Sequence, residues 1–124
     1  YNTPPCYGIY ICGKVFKWLK KMGGLEAMKA LNEKKAAILY DFLDQSKMFK
    51  GTVRKEDRSL MNVTFTLPTD QDTADFLALP KSRGMISLKG HRLTGGLRAS
   101  IYNGMPEDGV KLLTETMKQF ESDH

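Results

Sequence analysis

Between Cys6 and Met22 the apolar residues Cys12, Val15, Phe16, Leu19 and Met22 recur at helical spacing, with Lys14, Lys17, Lys20 and Lys21 between them. That period predicts an amphipathic helix with a lysine-rich outer face. Gly23-Gly24 supplies a stop, and Leu25 to about Ser46 repeats the helical pattern through Met28, Leu31, Ile38 and Phe42. The polar stretch "GTVRKEDRS", Gly51 to Ser59, reads as an edge strand or a loop. Then the period changes to two. In "LMNVTFTL" the residues Met61, Val63, Phe65 and Leu67 alternate with Asn62, Thr64 and Thr66, which predicts a strand with one buried face.

Thr69 to Arg83 opens with Thr and Asp suited to a helix N-cap and carries Phe76 and Leu77 for packing, so a third helix is expected, ended or kinked at Pro80. Gly84 turns the chain into a short strand, Met85 to Leu88, and a further strand is expected at Leu97 to Tyr102. There Leu97, Ala99 and Ile101 share one face and Arg98, Ser100 and Tyr102 the other. Met105-Pro106-Glu107-Asp108 is a helix start, with proline at the first helical position and acids in the first turn. Val110, Leu113, Met117 and Phe120 continue it as an apolar stripe. The order is ααβαββα, with room for one more edge strand. It predicts an α+β fold, a small two-layer domain with helices packed on a short, mainly antiparallel sheet.

Residues 1–124 fit one domain, and 41% hydrophobic with 27% charged residues is the composition of a globular chain. No apolar run approaches the ~20 residues that span a bilayer. The expectation is therefore a soluble, cytoplasmic protein without membrane contact. Cys6 and Cys12 lie on different faces of the first helix, which favours two reduced, half-buried thiols over a disulfide or a metal pair. The chain opens "YNTPPCYGIY" without an initiator methionine, so a piece of something longer is expected. Its tandem prolines hold Thr3 in an extended entry.

Charge narrows the search for chemistry. The net charge is +5, and from Phe76 to Pro106 there is no Asp or Glu, whereas Lys81, Arg83, Lys89, Arg92 and Arg98 lie in that window. Those five are the whole excess, since the other 14 Lys and Arg equal the 14 acids. A concentrated basic window points to an anionic ligand. Its centre, "KGHRLTGGLRAS", places His91, Arg92 and Arg98 around Gly90, Gly95 and Gly96. Glycines let the backbone take unusual φ and approach a ligand, arginine forks grip carboxylate or phosphate with two hydrogen bonds, and His91 can donate to a phosphate oxygen. A solvated basic loop with a glycine hairpin is the other reading of the same residues.

"YNTPP" at the start, "GGLEAM" at Gly23 to Met28, "GTVRKEDRSLMNV" at Gly51 to Val63, and "LKGHR" with "GGLRASIYN" at Leu88 to Asn103 together resemble the C-terminal small domain of the phosphoserine aminotransferases. These are class-V, fold-type I enzymes that use pyridoxal phosphate. The resemblance covers essentially the whole chain in order, with Leu93-Thr94, Thr64 and Gly104 departing from the family pattern. It implies transfer of an amino group between O-phosphoserine and 2-oxoglutarate, giving 3-phosphohydroxypyruvate and glutamate in serine biosynthesis. It also implies that Arg98 holds the substrate α-carboxylate, while His91 and Arg92 reach the phosphate or distal carboxylate in the site of a neighbouring subunit of a homodimer. Asn2 and Thr3 match the pair that hydrogen-bonds the cofactor phosphate.

The family's Schiff-base lysine and the carboxylate that pairs with the pyridine nitrogen have no match here. The expectation is therefore a chain without a catalytic residue of its own, inactive alone and binding no cofactor alone. Two other classes stay open. One is a nucleic-acid-binding module, raised by a pI near 9.2. The other is a free-standing structural or dimerisation domain, raised by the apolar stripes and seven methionines.

Overall fold

The computed structural model describes residues 2–124. They divide into two compact units, one reaching to Leu31 and one from Asn32 to His124. The first holds helix α1 (Cys6–Lys21) and the opening turns of helix α2 (Gly24–Gln45), which runs on into the second unit. Both helices lie where the apolar period places them. The stripe on α1, however, is not buried: no residue of the helix is. Tyr7 is 78% exposed, Phe16 66% and Trp18 39%. Cys6 and Cys12 are free and exposed rather than half-buried.

The second unit is built on a three-stranded antiparallel sheet in the order β1-β2-β3. Strand β1 (Lys50–Gly51) is a two-residue edge, followed by a 3-10 turn at Lys55–Asp57, so "GTVRKEDRS" is part edge strand and part loop. Strand β2 (Asn62–Thr66) sits in the centre and pairs with β3 (Leu97–Ser100), with Val63 opposite Ala99 and Phe65 opposite Leu97. Helix α3 (Asp70–Ser82) and helix α4 (Glu107–Asp123) complete the unit. Alternation buries Val63, Phe65, Leu97 and Ala99. They join Ala36, Leu39 and Leu43 of α2, Phe76 of α3, and Val110, Leu113, Met117 and Phe120 of α4 in one cluster. Phe49 is at its centre, its ring 5.0 Å from that of Phe76, 6.1 Å from Phe65 and 6.2 Å from Phe120. Edge-on aromatic contacts of this kind add about 1 kcal/mol each beyond the burial itself.

The start of α3 follows the sequence directly. Thr69 Oγ1 accepts from the Asp72 N–H at 3.0 Å and Asp72 Oδ2 accepts from the Thr69 N–H at 3.1 Å, a reciprocal capping box. Pro80 does not end the helix. It lies inside the last turn, which runs to Ser82, and its carbonyl accepts from the N–H groups of Arg83 and Met85. At α4, Pro106 is the N-cap rather than the first helical residue.

One expected strand does not form. Met85 to Leu88 carries no ladder, because Ser87 sits at φ 63°, a left-handed conformation that a strand cannot contain. Pairing with β3 begins only at the Lys89–Leu97 bridge, where the Arg98 N–H donates to Leu88 O at 2.8 Å and the Gly90 N–H to Gly96 O at 2.9 Å.

The buried face of α2 also holds two polar residues. Lys35 is fully buried, and its ammonium donates to the carbonyls of Ile101 at 3.2 Å, Tyr102 at 2.8 Å and Met105 at 3.0 Å. Asn32 Nδ2 donates to Asn103 Oδ1 at 2.8 Å. Burial pulls the lysine pKa down from its ordinary value. Both residues hold the turn that leads from β3 into α4.

Candidate functional site

The loop from His91 to Gly95 is closed by its own backbone. The His91 carbonyl accepts from the N–H groups of Thr94 at 3.1 Å and Gly95 at 2.8 Å. Gly95 and Gly96 then take φ 68° and 63°, which bring the chain back into β3. Gly90 has a different reason to be glycine. A Cβ there would stand 2.1 Å from the Gly95 carbonyl oxygen and 2.8 Å from that of Gly96. The two ends of the loop approach too closely for any side chain.

Beside this loop lies a cavity of about 530 Å³. His91 and Arg98 both line it, together with Thr94 of the loop and Asn62, Thr64 and Thr66 of β2. No acidic side chain is among its lining residues. Arg98 lies on the outward face of β3, directly opposite Thr64, and is half-buried. Its Nε is buried without a hydrogen-bond partner. A guanidinium N–H removed from water and left without an acceptor costs about 1–3 kcal/mol, which an entering anion would relieve.

His91 is exposed, and its Nδ1 accepts from the Leu93 N–H at 3.3 Å. That bond places the ring proton on Nε2, which is left to donate to an oxygen of a bound anion. Arg92 is exposed in the same loop and is not a lining residue of the cavity. Sequence neighbours thus separate here: His91 and Arg98 line the cavity and Arg92 does not. Asn2 and Thr3 lie in the first unit and are exposed, ahead of Pro4 and Pro5.

The other cations of the basic window serve different ends. Arg83 Nη1 donates to Thr116 Oγ1 at 2.9 Å and its Nη2 donates to Gln119 Oε1, tying the end of α3 to α4. Lys81 and Lys89 are exposed. What sequence reasoning missed is the hydroxyl lining of the cavity. Asn62 Oδ1 accepts from Ser100 Oγ and Tyr102 Oη, each at 3.2 Å, and Thr52 and Thr64 share a hydroxyl hydrogen bond of 2.5 Å. The alternation of β2 signals that Asn62, Thr64 and Thr66 share its outer face, but not that the glycine loop folds over them.

Comparison with known proteins gives a consistent result. The profile of the family described as Aminotransferase class-V matches residues 1–113. A phosphoserine aminotransferase of Paraburkholderia phytofirmans is 56% identical over 121 residues, which are 98% of this chain and 34% of that protein. One of Shewanella sediminis is 52% identical over 120 residues, 97% of this chain and 33% of that protein. Among solved structures, the phosphoserine aminotransferase of Bacillus circulans subsp. alkalophilus superposes with a TM-score of 0.94 at 43% identity, covering 99% of this chain and 34% of that one. The pyridoxal-phosphate-bound enzyme of Trichomonas vaginalis gives 0.88 at 40% identity, covering 95% and 34%. This chain spans about a third of the length of the relatives it matches.

Proposed function

The chain belongs to the class-V aminotransferases, and we propose that it supplies the substrate-anion grip of a phosphoserine aminotransferase. That enzyme would exchange an amino group between O-phosphoserine and 2-oxoglutarate, giving 3-phosphohydroxypyruvate and glutamate, in the cytoplasm. The observation that carries the reading is the acid-free cavity in which Arg98 presents a buried, unpartnered Nε and His91 presents a free Nε2. Each amino donor has an α-carboxylate and a second anion, and each of these two groups can hold one anion.

Arg98 takes the α-carboxylate in this reading, and His91 and Arg92 reach the phosphate or distal carboxylate in the site of a neighbouring subunit of a homodimer. The resulting two-point attachment fixes the orientation of the substrate Cα–H bond, and fixing reacting groups in place is worth up to several kcal/mol of barrier.

No lysine and no carboxylate is among the residues lining the cavity, so it fits a substrate anion and not the ring of pyridoxal phosphate. When bound, that cofactor supplies the electron sink for loss of the Cα proton. Asn2 and Thr3, exposed amide and hydroxyl donors, are proposed to meet its phosphate. The amine that binds its aldehyde is proposed to come from a region corresponding to the two thirds of the relatives' length that this chain does not match.

A second role, in subunit contact, is favoured by α1, where a helix rich in large apolar side chains has none of them buried.

The test is a chimera in which this chain replaces the matching third of the Paraburkholderia phytofirmans enzyme. Turnover of O-phosphoserine with 2-oxoglutarate is the expected result. A folded chimera that holds pyridoxal phosphate but transfers no amino group would remove the reading.

A further inference from the structure

On the outward face of the sheet the pairing of β2 with β3 places two polar side chains on a diagonal. Asn62 stands opposite Ser100 and Thr64 opposite Arg98, so Asn62 and Arg98 lie on adjacent strands, displaced by two residues. Diagonal positions on one face are about 7–8 Å apart, close enough for two long side chains to meet on one small group. Both residues are half-buried, and both line the cavity of about 530 Å³.

The two ends of the Asn62 amide are used unequally. Its Oδ1 accepts from Ser100 Oγ and from Tyr102 Oη, each at 3.2 Å, so two donors fill both of its lone pairs. Its Nδ2 donates to no acceptor among the described residues. The main chain is held as well, since the Asn62 N–H donates to Ser59 Oγ at 3.1 Å. An amide fixed by its oxygen in this way keeps its two Nδ2 hydrogens for a ligand. Arg98 is in a similar position, with Nε buried and unpartnered. A carboxylate has about four acceptor sites on its two oxygens, and an arginine fork fills two of them. Where water is partly excluded, the remaining sites need another donor, because a buried acceptor left unpaired is costly.

We propose that Asn62 is a second ligand of the substrate α-carboxylate, donating from Nδ2 to the oxygen that the Arg98 guanidinium leaves unsatisfied. The hydroxyls of Ser100 and Tyr102 hold the amide in the donating orientation. The proposal rests on the reading of Arg98 as the α-carboxylate ligand. O-phosphoserine and glutamate share that carboxylate, so Asn62 serves both amino donors alike.

NMR of the side-chain N–H groups of this chain tests it as O-phosphoserine is added. The Asn62 Nδ2 and Arg98 Nε signals are expected to shift together, with one midpoint. A shift at Arg98 with Asn62 unmoved would overturn the proposal and leave the substrate reading standing. No shift at either group would remove both. Affinity in the chimera with the Paraburkholderia phytofirmans enzyme gives a second measurement. Asn62→Leu keeps the size of the side chain and removes its donor. It is expected to weaken O-phosphoserine at least about 10-fold and to leave O-phosphoethanolamine, which lacks the α-carboxylate, within about twofold of the unaltered chimera. Equal losses on the two ligands would mean that Asn62 only props the outer face of β2 and β3, and would overturn the proposal. If the chimera does not assemble, the two NMR signals of the unaltered chain decide the matter.

Discussion

Arg98 on β3 stands directly opposite Thr64 on β2, and its Nε is buried with no acceptor. That N–H finds no acceptor within the fold, and in the proposed function a substrate anion supplies one. Replacing Arg98 by Met, of similar length and without a donor, is predicted to leave thermal stability unchanged or raise it by about 1 kcal/mol. Calorimetric titration with O-phosphoserine should at the same time show weaker binding. A large loss of stability in Arg98→Met would mean that the guanidinium is held by the fold and not reserved for a ligand.

Gly90 offers a test of the loop that does not touch its charges. An Ala there would drive its Cβ into the Gly95 carbonyl, 2.1 Å away, and that backbone has no free side-chain end to yield. The expected result is an opened loop and a loss of anion affinity comparable to loss of His91. Because the clash is local, helix content by circular dichroism should stay near that of the parent chain. Unchanged affinity would show that the glycine loop plays no part in the site.

How far the sequence reveals this structure depends on which forces set each element. The alternation of Val63, Phe65 and Leu67 and the stripe of Val110, Leu113, Met117 and Phe120 come from burial of one face, and the structure buries those faces. That His91 and Arg98 border one cavity follows for a related reason, since a glycine turn between strands brings its flanking residues together. Three features were not legible. The strand expected at Met85 to Leu88 fails through one left-handed residue, Ser87, that no hydropathy pattern encodes. The buried face of α2 includes Lys35 and Asn32, which read as solvent-facing until the carbonyls they meet, 66 or more residues away, are known. And spacing alone does not give that His91 lines the cavity while its neighbour Arg92 does not.

Lys35 leads to a stability prediction. Lys35→Met keeps the stem but removes the ammonium donor from the carbonyls of Ile101, Tyr102 and Met105, of which Tyr102 keeps the Met105 N–H. The predicted cost is about 3 kcal/mol, measured as a shift in the urea midpoint at unchanged slope. A near-neutral result would mean that water replaces the ammonium in the turn between β3 and α4.

Glu121 gives the pH dependence. Burial opposes its ionisation, but hydrogen bonds from the Met48 N–H at 3.0 Å, the Ser46 hydroxyl at 2.9 Å and the Lys47 N–H at 2.6 Å prevail and hold its pKa below the ordinary 4.5. A carboxylate with a lowered folded pKa stabilises above its unfolded pKa, and that stabilisation is lost as pH falls through the folded value. Asp44, held well below the usual carboxylate range first by its hydrogen bond to Arg58, acts in the same direction. Unfolding free energy should therefore decline from about pH 5 downward. Glu121→Gln should lower stability at neutral pH and flatten that decline. A variant that titrates as steeply as the parent would assign the acid sensitivity elsewhere.

The most direct test of the central claim is the kcat/KM of the chimeric enzyme for O-phosphoserine and for glutamate, measured with Arg98→Ala and with Arg92→Ala. The account predicts that Arg98→Ala weakens both amino donors by 2–5 kcal/mol, roughly 30-fold to several thousand-fold. It also predicts that Arg92→Ala affects O-phosphoserine more than glutamate. Both amino donors unaffected by either change would contradict it.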